Sequence, residues 1–76
     1  MNKDARIRMA MYESLQHKYK SQMAEAEASL LIYFTSPVGI GEHPQHVEEM
    51  DKLIEKISNA DDKLKTLESF MKYETL

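Results

Sequence analysis

Apolar positions along the second half of the chain fall at Met50, Leu53, Ile57, Ala60, Leu64, Leu67 and Met71, alternately three and four residues apart. That spacing is the a/d pattern of a helix that keeps one stripe against a partner helix. Charged residues fill the gaps, among them Glu48, Asp51, Lys52, Glu55, Lys56, Asp62, Lys63 and Lys65. Glu48 precedes Lys52 by four residues, but Lys52 and Lys56 repel at the same spacing, so the stripe must do more for this helix than local charge pairing. Pro44 suits a first helical position, and Glu48 and Glu49 sit near the positive end of the dipole. The pattern predicts a helix over 44–73.

The first half carries a second stripe, Tyr12, Leu15, Tyr19, Met23, Ala26, Leu30 and Tyr33. Read this way it holds two consecutive spacings of four, a stutter that would locally unwind a left-handed supercoil. Ala24, Ala26 and Ala28 between Glu25 and Glu27 favour helix over strand. Leu30–Phe34 alone could be a strand, but it continues the helical stripe. Asn2 or Asp4 is the expected N-cap, and the helix is predicted over 3–34.

Between the helices lies the chain's one patch of breakers: Pro37, Gly39, Gly41 and Pro44 are its only prolines and glycines. A single turn over 35–43 between two long arms excludes an all-β sandwich, which needs turn signals throughout. The expected fold is all-α, one domain over 1–76, an antiparallel two-helix hairpin. Apolar residues flank both stripes (Met11, Ile32 and Phe34 on the first, Val47, Ile54 and Phe70 on the second), so the apolar faces are wider than one seam needs. The two seams are therefore expected to drive self-association, most simply two hairpins in a four-helix bundle. Val38 and Ile40 are apolar residues in the turn, predicted to cap the bundle end against Phe34 and Val47.

Charge adds an asymmetry. Residues 1–20 carry five cations and two acids, while residues 21–76 carry five lysines and eleven acids. Arg6, Arg8, Lys18 and Lys20 are thus candidate nucleic-acid contacts, although five cations in twenty residues also suit a solvated face. No cysteine is present, which removes disulfides, thiolate metal sites and a cysteine nucleophile. The charged N-terminal stretch lacks the apolar core of a signal peptide and the longest apolar run is Leu30–Phe34. Neither a membrane span nor secretion is expected, and a cytoplasmic location follows as the expectation.

Candidate chemistry is sparse. His43 and His46, near Glu42 and Glu49, form the one metal-like cluster, short of a convincing zinc set; no metal or other cofactor is assigned. Gly39-Ile40-Gly41 lacks the strand and the Lys-Ser/Thr partner of a phosphate loop. The serines have no histidine and acid at motif spacing, so no enzyme is expected. The tyrosines and methionines read as packing residues, with Met9 and Met11 the exceptions that face solvent or a partner.

Residues 36–68, SPVGIGEHPQHVEEMDKLIEKISNADDKLKTLE, resemble short helical-hairpin proteins encoded by tailed phages, including marine ones. The shared features are a Pro-x-Gly-x-Gly-Glu-His-type turn and a charged helix ending in Asp/Glu-Lys-Leu. The resemblance implies a phage accessory or assembly component in the host cytoplasm, without an activity. The expected function is accordingly that of a non-enzymatic oligomeric helical protein acting on an unknown protein partner. The alternative is a nucleic-acid-associated accessory factor using the basic arm.

Overall fold

A computed structural model describes residues 2–35 and 45–74, the side chains of 73 and 74 excepted. It consists of two helices, α1 (Lys3–Thr35) and α2 (Gln45–Glu74), packed side by side as a hairpin. Each helix is within a residue of its predicted bounds at both ends. At ~1.5 Å per residue, α1 is about 50 Å long, and the molecule measures 57 × 16 × 15 Å.

Asn2, not Asp4, caps α1. The Ala5 N–H donates to Asn2 Oδ1 at 2.7 Å, and the Arg6 N–H donates to the Asn2 carbonyl at 3.0 Å. The first is the capping bond and satisfies one of the helix's four unpaired amino-terminal N–H groups; the second is the helix's own first i→i−4 bond. Asp4 stands instead in the first turn, where its charge favours the positive end of the dipole. At the other end the Thr35 hydroxyl donates to the Leu31 carbonyl at 2.8 Å, closing the last turn on itself.

Three contacts between the helices fix an antiparallel register. The Tyr33 ring lies 5.7 Å from the His46 ring, tilted at 59°. Lys56 Nζ is 3.9 Å from Glu25 Oε2, and Lys63 Nζ sits 5.9 Å from the centre of the Tyr19 ring. Residues 33 with 46, 25 with 56 and 19 with 63 run in opposite senses along the two helices, as an antiparallel pair requires.

The seam corrects the sequence reading of α1. Leu15, placed on the stripe, is more than a third exposed, and Gln16 takes the half-buried position instead. Met9, expected outside, and Ala5 continue the same half-buried line. Positions 5, 9, 12, 16, 19, 23, 26, 30 and 33 then alternate by four and three without a stutter. The physical reason is heading: a straight seam cannot jog to Leu15 and back within one turn. Gln16 tolerates the site because its Nε2 donates to Tyr12 Oη at 3.3 Å while its stem packs. On α2 every seam residue from Met50 to Met71 is at least half-buried, and His46 extends the line by one step.

The core is thin. Among the described residues only Ala26, Ala60 and Leu64 are buried, the two alanines at 1% exposure. Neither alanine has the bulk to hold its helix off the other. No large side chain among the described residues is fully buried.

Candidate interaction surfaces

A helix advances about 100° per residue, so each face follows from the seam. Three groups of residues form candidate surfaces: the two sides of the hairpin and the back of α1.

One side carries an open hollow lined by Met23, Glu27, Ile54, Ile57, Ser58 and Asp61. Toward the turn, helical spacing sets Leu31, Phe34 and Val47 on this same side, each more than 60% exposed. This side thus carries exposed apolar residues beside the acidic Glu27 and Asp61 of the hollow. The opposite side has a hollow lined by Tyr19, Asp62, Lys63, Thr66, Leu67 and Phe70. Phe70 is 67% exposed there, and Leu15 lies on the facing part of α1. Both hollows are shallow, with a floor of seam residues and a rim open to water.

The back of α1, turned away from α2, repeats the 4-3 spacing a second time. Ile7, Met11 and Ile32 are large apolar residues on it, between 48% and 63% exposed. Ser14, Ser21 and Ala28 fill the middle and are also exposed. The corresponding back of α2 holds Glu48, Lys52, Glu55, Asn59, Asp62 and Thr66, with no apolar residue. The flanking residues Met11, Ile32, Phe34, Val47, Ile54 and Phe70, singled out from the sequence, are all exposed. Ile7 and Leu31 were not, although Ile7 begins the second 4-3 stripe and Leu31 stands beside Ile32.

The basic arm is divided by the helix. Arg6 and Arg8 lie two residues apart, roughly 200° around the axis, and so do Lys18 and Lys20. Arg6 and Lys20 fall on the side of Glu27 and Asp61; Arg8 and Lys18 fall toward the other. Arg6 shares a shallow hollow with Lys3, Ile7 and Ala10. The structure therefore does not gather the four cations into one stripe.

His46 packs on Tyr33 in the seam. Among the described residues no group of three His, Cys, Asp or Glu is placed to hold a metal ion, and His43 with Glu42 lies outside them. Of the expected turn cap, Phe34 is described and exposed, as is Val47. Pro37, Val38, Gly39, Ile40, Gly41 and Pro44 lie outside the described residues. No described helix is long and apolar enough to cross a membrane.

Ion pairs are surface features. Lys52 reaches Glu49 at 3.4 Å, and Lys65 reaches Asp61 at 2.9 Å. The hydrogen bond to the Asp61 carboxylate, reinforced by its charge, raises the Lys65 pKa above the ordinary lysine value of 10.5. Contacts this exposed contribute little to stability.

A scan of protein-family models, a search of curated proteins and a search of solved structures each return no match for this chain. The functional reading rests on the chain's own surfaces.

Proposed function

We propose that this protein is a self-associating helical hairpin that works through protein–protein contacts and carries no catalytic chemistry of its own. The observation that carries the reading is the mismatch between core and surface. The chain exposes 6232 Å², whereas a compact monomer of 8.9 kDa exposes about 4,800 Å². Nine large hydrophobic side chains are exposed among the described residues, against three small or medium ones buried. Small domains with cores this thin are commonly completed by a second chain. A second hairpin, making a four-helix assembly, would give one of the exposed apolar faces a partner.

In this reading the seams hold each hairpin together, one apolar face joins copies, and Leu31, Phe34 and Val47 near the turn remain for a protein partner. Such a module fits an accessory or assembly component, the setting implied by the likeness to phage hairpins. The rival, a nucleic-acid factor using Arg6, Arg8, Lys18 and Lys20, is weakened by the division of those cations between two sides.

Solution mass tests the reading. Light scattering on a sizing column should give a mass of at least two chains at micromolar concentration; a single-chain mass throughout would sink it. Binding to duplex and single-stranded DNA at two salt concentrations separates the rival, which requires tight, salt-sensitive binding.

A further inference from the structure

Resting on the reading that the chain self-associates, we infer that the second copy docks on the back of α1, so that two α1 helices run antiparallel about Ser21.

The choice of face follows from the contrast between the helices. α2 is apolar on its seam and polar on its back, the pattern of a helix with one buried face. α1 adds to its seam a second face with large apolar residues at both ends and small or charged ones between, which suits a helix covered on two sides. One cover is α2. The other face has its own heptad spacing, carries large apolar residues at both ends (Ile7 and Met11, then Ile32), and bears two charges, Lys18 and Glu25. A heptad stripe is the shape that another helix with the same stripe covers.

The orientation follows from where those residues stand. About Ser21, an antiparallel partner sets Met11 against the partner copy's Ile32, Ser14 against its Ala28 and Lys18 against its Glu25, each twice by symmetry. Met11 and Ile32 meet at the two ends, with Ile7 opposite Thr35 beyond them. Small residues meet in the middle, where the backbones can approach. Opposite charges meet in both Lys18–Glu25 pairs. A parallel partner would set Lys18 against Lys18 and Glu25 against Glu25, a like-charge juxtaposition. Glu25 already lies near Lys56 in its own chain, at 3.9 Å and largely exposed, so a second cation can join without burying an unpaired acid. The helix dipoles also favour the antiparallel arrangement, as does the net positive first half of α1 meeting the acidic Glu25–Glu27 half.

Because the chain has no cysteine, single-cysteine variants at exposed positions report the geometry directly. Under mild oxidation Ser21→Cys should form a disulfide dimer. Ser14→Cys alone and Ala28→Cys alone should not, while an equimolar mixture of the two should give the mixed dimer. Lys18→Glu should weaken dimerisation by about tenfold or more, and Lys18→Glu with Glu25→Lys should recover most of the loss. A Ser14→Cys homodimer as efficient as that of Ser21→Cys would mean a parallel pair and overturn the inference. A native dimer mass with no cross-linking at any of these positions would place the contact on another face, overturning the inference while leaving self-association intact. A single-chain mass for the unmodified protein would remove both.

Discussion

α1 and α2 share one seam geometry and differ on their backs. Around α2 the apolar residues lie on one side, and the back from Glu48 to Thr66 is wholly polar. Around α1 the seam residues are answered, half a turn away, by Ile7, Met11, Ala28 and Ile32. The two apolar faces of α1 nearly cancel, so it has little net amphipathicity although it is far from polar. The comparison teaches that weak amphipathicity in a long helix can mean two partners rather than none.

The largest test strikes the shared part. Leu64→Asp places a charge in the buried seam and should cost about 3 kcal/mol or more, enough to unfold the hairpin. Circular dichroism should show the helicity lost, whereas Ser69→Asp on the back of α2 should leave it unchanged. Next comes the contrast between the backs. Ile32→Asp and Thr66→Asp should both keep native helicity, but only Ile32→Asp should lower the mass measured by light scattering. Equal behaviour of the two would break the comparison.

A smaller effect sharpens the seam itself. Gln16→Leu should raise the thermal midpoint, with a gain of about 1 kcal/mol from apolar burial, while Leu15→Gln should change it by less. The reverse order would restore Leu15 to the seam. The smallest effect belongs to Lys65. Its pKa is raised in the folded state, so whatever it contributes is present below the ordinary lysine value and lost as pH rises through the raised one. The difference in thermal midpoint between the native chain and Lys65→Met should therefore be constant from about pH 6 to 9 and shrink only in stronger alkali.

Much of this fold was legible in the sequence. The 4-3 spacing of α2, the alanine-rich middle of α1 and the single cluster of breakers place both helices within a residue of their observed ends. The heading of the α1 seam was not, because a rule that seeks apolar residues prefers Leu15 to its polar neighbour Gln16. Only the Tyr12 hydroxyl and the straightness of the pair decide for Gln16. The second stripe of α1 was missed for a related reason: Ser14, Ser21 and Ala28 do not register as hydrophobic, although small size is what lets helices approach. Of that face the sequence reading had only Met11 and Ile32. The register was also beyond reach, since heptad seams match equally well after a slip of seven residues. Contacts such as Tyr33 with His46 settle it.

Ala26 and Ala60 have a further consequence, in the local opening of the hairpin. Ala60 sits at the middle of α2 and Ala26 past the middle of α1, where side-chain atoms are best shielded, while Met9 and Met71 at one end and Tyr33 and His46 at the other are only half-covered. Backbone amides around 22–26 and 57–64 should then exchange with deuterium most slowly, through whole-molecule unfolding. Those toward both ends should exchange through fraying that leaves the middle closed. A two-helix molecule would thus resist from its waist outward, and its ends would be free to reshape around a partner without the middle letting go.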